Sequence, residues 1–323
     1  MKIGNVELAS RVVLGPMAGV TTLAYREFMK EFGAGLTVSE MISDCGIDYK
    51  NARTFEYLKT SQRERPVALQ LFGSNKENSV KAVKIIEENA DYDILDLNFG
   101  CPVPKITKTG AGSAWLQRLD ELGDYVEAIV TASSKPVTAK IRLGWDEDSI
   151  NVEESCRILV EAGISAIAVH CRTKSQGYSG KARYEAIEGL QDRLSVPLIV
   201  SGDIFTPEDA RRAVDITKCE GVMVARGGLG NPYLITQINA LLDKGIRLEN
   251  PTLDKQVAYA RDFAKRLIEL KGEFIGVREL RGHLPHFFHS EPGMKAKRVA
   301  LARASTKEEI ERVFEDILKD ANL

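Results

Sequence analysis

The feature that most constrains this 323-residue chain is an eightfold alternation of short β-rich runs with helix-like stretches. The runs are residues 11–15, 36–40, 67–73, 93–98, 137–144, 166–170, 197–202 and 221–226. Between them, residues 75–90 carry apolar side chains at 80, 83, 85 and 86 behind a capping Asn75, the spacing of one helical face. Residues 151–163 place Val152, Cys156, Leu159 and Val160 on one face and stop at Gly163. Residues 206–214 open with Thr206 as cap and Pro207 at the first helical position, where a missing N–H costs nothing. Strands separated by helical crossovers pair in parallel, because each crossover returns the chain to the same end of the sheet. Eight such units predict an α/β fold, a (β/α)8 TIM barrel, with a doubly wound open sheet as the alternative. After Asn250-Pro251 the β-rich runs cease, and residues 254–271, 275–289, 294–304 and 306–321 read as helices. The expected organisation is a catalytic barrel over 1–248 and a small all-α helical domain over 249–323.

Charge and cysteine usage narrow the setting. The formal net charge is −2, so the overall balance points to no polyanionic partner. Five scattered cysteines without a CxxC pair argue against a disulfide framework or a zinc cluster and suit a reducing, cytoplasmic setting. The first twenty residues lack the apolar core of a signal peptide. No run reaches the roughly 20 apolar residues of a membrane span. Locally, residues 276–303 gather Arg278, Arg281, Lys295, Lys297, Arg298 and Arg303 against Glu279 and Glu291, a basic patch of the kind that contacts phosphates. The stretch "HLPHFFH" spaces His283, His286 and His289 at i, i+3 and i+6, which spreads them around a helix. No metal site is expected there. Phe287 and Phe288 are expected in a core, with the histidines at its edge or near RNA.

In barrels of this kind the active site gathers at the C-terminal ends of the strands. Those ends deliver Gly15-Pro16-Met17, Glu40, Gln70, Asn98 with Cys101, Lys140 with Arg142, His170 with Arg172, Ser201-Gly202-Asp203 and Arg226-Gly227-Gly228. The last two groups set glycines before helices at the positions where barrels bind phosphate. Gly202, Gly227, Gly228 and Arg226 form the expected cradle. Lys140 interrupts an apolar strand and needs an anionic partner inside the barrel. With His170 and Gln70 it suits a flat heteroaromatic ring whose edge alternates donors and acceptors. FMN meets both demands, its phosphate on loops seven and eight and its ring over the mouth beside Lys140. Cys101 lies in "ILDLNFGCPVPK", just past a strand end, on a turn stiffened by Pro102 and Pro104. Residue type alone leaves this thiol a buried hydrophobe, a metal ligand, a nucleophile or an acid.

The segments "LGPMAGVT", "LQLFG", "DLNFGCPVPKITKTGAGSAWL", "AKIRLGW", "HCRTKSQGYSGKA", "SGDI" and "VARGGLGNP" resemble the tRNA-dihydrouridine synthases, FMN enzymes that join a barrel to a helical domain. The resemblance runs from about residue 10 through the C-terminal helices. Its most specific piece is N-x-G-C-P followed by G-A-G-S-A. It implies that Pro16, Met17 and Ala18 line the flavin, that Gln70, Lys140 and His170 hold its ring, and that Ser201, Gly202, Asp203, Arg226 and Gly227 hold ribityl and phosphate. It implies further that Asn98 positions the target uracil, that Arg142 and Arg183 contact RNA, and that Cys101 is the catalytic acid. The implied reaction reduces the uracil C5=C6 bond in tRNA with hydride from reduced flavin N5 and a proton from the thiol. An ordinary thiol pKa of ~8.5 leaves that group mostly protonated at neutral pH. NADPH or NADH as electron donor and a monomeric state follow from the same resemblance. Two residues depart from the family pattern: Phe99 stands where Met is common and Cys171 where Gly is common. Phe99 is expected to alter packing beneath flavin or uracil. Rival readings are an FMN-dependent reductase of a free pyrimidine, resembling dihydroorotate dehydrogenase, an RNA-binding protein without chemistry, and a phosphate-binding lyase or aldolase barrel.

Overall fold

The computed structural model describes residues 1–289 and 291–321. Eight parallel strands close into a barrel in chain order: β1 (Val12–Leu14), β2 (Leu36–Ser43), β3 (Val67–Phe72), β4 (Ile94–Phe99), β5 (Val137–Arg142), β6 (Ala166–His170), β7 (Leu198–Ser201) and β8 (Gly221–Val224). β8 pairs with both β7 and β1, so the barrel leaves no open edge. Each expected run holds one strand. β2 continues past Glu40 to Ser43 because a shift in register between Val38 and Met41 lets it keep pairing with β3.

The crossovers carry α1 (Leu23–Glu31), α2 (Lys76–Asn89), α3 (Leu119–Ala132), α4 (Val152–Glu161), α5 (Pro207–Thr217) and α6 (Tyr233–Lys244). Asn75 caps α2 by accepting from the Asn78 amide. Thr206 and Asp209 form a reciprocal capping box on α5. The crossover after β6 is a long loop, residues 171–183, followed by short 3-10 turns at Tyr184–Ile187 and Gln191–Arg193.

Alternation along the strands decides which side chains enter the barrel. Val13, Val38, Ala68, Ile94, Ala166, Ala168, Ile199 and Met223 fill one end of the interior, a core distinct from that beneath the helices. Ile3 and Leu8 join this inner core, Ile3 from a small hairpin, Lys2–Ile3 with Val6–Glu7. Strands of two residues fall below any readable periodicity, so the sequence gives no sign of this hairpin. Continuing the same parity toward the C-terminal ends brings in Gln70, Asp96, Asn98, Thr138, Lys140, Arg142, His170 and Ser201. Phe99 has the opposite parity. It packs outward against Trp115 and Tyr125, with centroids 6.1 and 6.2 Å away, so the expected packing beneath a flavin or uracil is not found.

Beyond the barrel lie α7 (Leu253–Lys271), α8 (Glu273–Leu280), α9 (Lys295–Arg303) and α10 (Lys307–Ala321). The single helix expected over 275–289 is divided. α8 ends at Leu280, and a 3-10 turn follows at Leu284–Phe288, with Pro285 lacking the N–H a continued helix needs. Phe263 of α7 docks on α1 against Tyr25 and Phe28, at centroid distances of 5.6 and 5.4 Å. Phe287 and Phe288 are buried as expected. His283 departs from its expected edge position: it is buried beside Phe263, 5.2 Å between centroids. Among the described residues no helix is long and apolar enough to cross a membrane, and no cluster of three or more His, Cys, Asp or Glu forms a metal site.

Candidate active site

Strand register assembles the site. Gln70 stands beside Asp96, Asn98 beside Lys140, and Arg142, His170 and Ser201 in a row. A chain of hydrogen bonds runs through these neighbours. Thr138 Oγ1 donates to Asp96 Oδ1 at 2.7 Å, Gln70 Nε2 to Asp96 Oδ2 at 2.6 Å, and Asn98 Nδ2 to Gln70 Oε1 at 2.7 Å. Asn98 Oδ1 then accepts from the Gly100 and Cys101 amides at 3.1 and 2.9 Å, local bonding that competes with strand continuation and turns the chain. Ser113 holds the other side of the turn, its hydroxyl donating to the Cys101 carbonyl at 2.7 Å. Gly112 is required there: its φ is +60, and a Cβ would lie 2.9 Å from the Cys101 carbonyl oxygen. The Cys101 thiol is half-buried. Burial pushes its pKa up, against weaker pulls from the Val103 backbone, Arg142 and Lys140.

The thiol borders a cavity of about 400 Å³ lined also by Pro16, Met17, Ala18, Gln70, Asn98, Lys140 and Arg142. An adjoining cavity is lined by Ser201, Gly202, Asp203, Arg226 and Gly227. Pro16, Met17, Lys140, His170, Tyr178 and Arg226 border both, so all but one of the residues the resemblance assigns to the site meet in one groove, whereas Gly15, Glu40, Arg172 and the expected cradle residue Gly228 line neither cavity. The exception is Arg183, which pairs with Glu147 at 2.8 Å outside both cavities. Arg142 reaches the groove but is buried. Its Nε donates to the Gly100 carbonyl at 2.8 Å, and its Nη1 to the Thr173 and Gly177 carbonyls at 2.9 Å each.

The groove is rich in cations and short of anions. Among the described residues the Lys140 ammonium has no hydrogen-bond or ion-pair partner. Burial and Arg142 press its pKa down to about 8, with Asp96 opposing. His170 is buried, and desolvation together with Lys140, Arg142, Arg172 and Arg226 holds it well below the ordinary histidine range, hence neutral. Asp203, at φ +50, accepts from Arg172 at 2.6 Å, the Ala182 amide at 2.8 Å and Arg226 at 3.5 Å. At Gly227 a Cβ would stand 1.9 Å from the Ile204 carbonyl oxygen, and at Gly202, φ +118, 3.0 Å from His170 Cδ2. The two phosphate-side loops therefore approach backbone to backbone. An unpartnered ammonium, surplus cationic charge and a glycine-lined cradle fit FMN.

Two residues of the site escaped the sequence reading. Tyr178, in loop 171–183, is 58% exposed and lies 4.6 Å from the Arg226 guanidinium carbon and 5.6 Å from that of Arg142. Its signal was an aromatic flanked by Gly177 and Gly180 in a crossover with no helix. Arg172, noted only as a strand-end residue, is buried and ties Ser179, Gly180 and Asp203 together. The basic patch on the later helices is partly spent internally. Lys297 pairs with Asp316 and Asp320 at 3.8 and 3.2 Å, and Arg281 donates to the Ala304 carbonyl at 2.7 Å. Lys295 and Arg303 are exposed and have no side-chain partner among the described residues.

Comparison with known proteins agrees with this architecture. The family model for Dihydrouridine synthase (Dus) matches residues 13–322. A probable tRNA-dihydrouridine synthase of Rickettsia bellii is 36% identical over 88% of this chain and 87% of its own. The tRNA-dihydrouridine synthase B of Pasteurella multocida is 33% identical over 99% of this chain and 97% of its own. In fold, the chain is similar to histamine dehydrogenase from Rhizobium sp. 4-9, with a TM-score of 0.56 and 15% identity over 82% of this chain and 50% of that one. A variant of NCR from Zymomonas mobilis gives a TM-score of 0.54 and 15% identity over 77% of this chain and 91% of its own. A barrel whose rim carries the N-x-G-C-P turn, matched by the family model from β1 through the last helix, places the protein: the chain belongs to the dihydrouridine synthase family.

Proposed function

We propose that this protein is a tRNA-dihydrouridine synthase, an oxidoreductase that reduces the C5=C6 bond of uridines in tRNA with FMN. One observation carries the reading: a thiol kept protonated by burial is held by Asn98 on the same groove as the unpaired Lys140. The names of the relatives from Rickettsia and Pasteurella support the substrate. Bound and reduced, FMN would supply the hydride for uracil C6.

The chain's own residues do the rest. Lys140 offers its ammonium to the electron-rich edge of the ring, where the net positive surroundings favour negative charge. Neutral His170 and Gln70 complete that edge. Ser201, Gly202, Gly227 and Arg226 hold the phosphate and ribityl chain, with Asp203 orienting Arg226 and Arg172. Pro16, Met17 and Ala18 wall the opposite side. Cys101 Sγ passes its proton to uracil C5. Asn98 and Arg142, bonded to the Cys101 amide and the Gly100 carbonyl, fix that sulfur in place, and both line the space left for the uracil. A uridine stacked in RNA must swing out to reach this depth. Arg183, Lys295 and Arg303 would meet the RNA backbone, with residues 1–248 serving the chemistry and 249–323 the tRNA. NADPH or NADH serves as electron donor, and the protein works as a cytoplasmic monomer.

The test is anaerobic: reduce the purified protein, add unmodified tRNA, and follow the flavin absorption band. Reoxidation by tRNA, and none by free uracil or dihydroorotate-type substrates, is expected. Bound flavin indifferent to RNA but oxidised by a free pyrimidine would instead identify a small-molecule reductase.

A further inference from the structure

Loop 171–183 begins by folding back on the strand that carries His170. The Arg172 amide donates to the His170 carbonyl at 2.7 Å, a closure over two residues that ends β6 in a tight turn. The turn sets the Arg172 side chain beside the His170 ring. The guanidinium is then held by three acceptors. Nε donates to the Ser179 carbonyl at 3.0 Å, and Nη2 to the Gly180 carbonyl at 2.7 Å and to Asp203 Oδ2 at 2.6 Å. Because the fork is planar and rigid, those contacts also fix where Nη1 lies. It lies 3.4 Å from His170 Nε2.

A guanidinium carries five N–H donors, offers no acceptor and keeps its proton in proteins. The contact therefore has one sense: Arg172 donates and His170 Nε2 accepts. An N–H on Nε2 would set two donors against each other, and both residues are buried, where an unmatched donor is costly. Burial, with Lys140, Arg142, Arg172 and Arg226 around it, keeps the ring neutral, so it carries a single proton. With Nε2 an acceptor, that proton is on Nδ1. The packing of the ring agrees. Its Nε2–Cδ2 edge faces Gly202, where a Cβ would stand 3.0 Å from Cδ2 and 3.4 Å from Nε2. Nδ1 is on the opposite edge and has no hydrogen-bond partner among the described residues, and His170 borders both cavities of the groove.

We propose that Arg172 is a positioning residue for the cofactor site: it fixes the His170 proton on Nδ1, so that the ring meets FMN as a hydrogen-bond donor. This rests on the functional reading above for the identity of the ligand. Lys140 can only donate. With His170 also a donor, the two side chains address lone-pair oxygens or nitrogens of the ligand and not its N–H groups. Arg172 does this from outside the groove, through a ring that lines it.

NMR reads the proton directly. The chain has four histidines. In holoenzyme carrying heavy-nitrogen-labelled histidine, two-bond proton–nitrogen correlations distinguish Nδ1 from Nε2 and the protonated nitrogen from the bare one. His170 is assigned as the signal lost in His170→Gln. A bare Nε2 and a protonated Nδ1 are expected in the wild type at neutral pH. Arg172→Met is expected to move the proton to Nε2 and to weaken FMN binding ~10-fold, about the worth of one hydrogen bond. Wild-type protein with its proton on Nε2 overturns the proposal. So does Arg172→Met that keeps the proton on Nδ1, since an arginine that only braces loop 171–183 would lower the melting temperature and leave the ring unchanged. Should Arg172→Met not fold, Arg172→Lys, which keeps the charge beside Asp203 but lacks the fork, carries the same comparison with the same two outcomes. Adding FMN to flavin-free protein is expected to shift the Nδ1 resonance, and an unmoved resonance with FMN bound refutes the donor role. If no flavin binds, the functional reading fails, while the same sample still decides where Arg172 places the proton.

Discussion

Asn98 Nδ2 donates to Gln70 Oε1 across 2.7 Å, and that single bond ties the Cys101 turn to the polar interior of the barrel. Both amide ends of Asn98 are thereby committed, one to Gln70 and the other to the Gly100 and Cys101 amides. Gln70 is committed in turn to Asp96. The thiol is placed by a relay that begins at Thr138, two strands away from Gln70.

Removing the relay's last link should therefore act on the acid. Asn98→Ala leaves two amides without their acceptor, a cost of about 1–3 kcal/mol in stability. Turnover in a dihydrouridine assay should fall by ~100-fold or more if the sulfur moves by about 1 Å, while flavin stays bound. Thermal melts and flavin content, measured beside turnover, distinguish this from collapse of the fold. Wild-type turnover would show that Asn98 does not place the thiol.

Cys101→Ala should retain flavin and lose most turnover. In the wild type, burial raises the thiol pKa. The acid should stay protonated through neutral pH, and the single-turnover rate should decline only above the ordinary thiol range. A rate that falls as pH rises from 6 to 8, values about the neutral point chosen to bracket it, would point to a different proton donor.

Lys140 ties stability to pH in flavin-free protein. Its folded pKa of about 8 lies below the unfolded value of ~10.4. Below both values the buried charge costs stability in full. Between them the unfolded chain binds the extra proton, so stability rises with pH across that window. Lys140→Met should abolish this rise and raise the melting temperature of the flavin-free protein at neutral pH, while weakening flavin binding at least ~10-fold through loss of the charge-assisted contact. Parallel melts of both proteins from neutral to alkaline pH decide it.

On the later helices, pairing separates RNA-facing charges from structural ones. Lys295→Glu with Arg303→Glu should weaken tRNA binding and flatten its dependence on log salt by about 0.7–0.9 per lost phosphate contact. Lys297→Glu should instead lower stability, because it sets a third carboxylate beside Asp316 and Asp320. Filter binding across a salt series and thermal melts together test the division.

The eight strands, the parity that turns Gln70, Asn98, Lys140 and His170 inward, and the stiff turn bearing Cys101 were all legible in the amino-acid order. Each depends on local rules: two-residue alternation, helix caps and the conformations open to glycine and proline. Tertiary structure alone decided how the polar groups are spent. Arg142 and Lys297 read as free cations, yet one serves backbone carbonyls and the other an acidic pair. Lys140 read as needing a partner, and the folded chain supplies none among its described residues. Phe99 was expected to alter packing beneath flavin or uracil, and the folded chain instead seats it against Trp115 and Tyr125. His283 read as an edge residue, yet it is buried in an aromatic core beside Phe263. Periodicity is written residue by residue, whereas hydrogen-bond partners and burial depend on contacts between segments far apart in the chain, which exist only once the barrel has closed and the helices have docked.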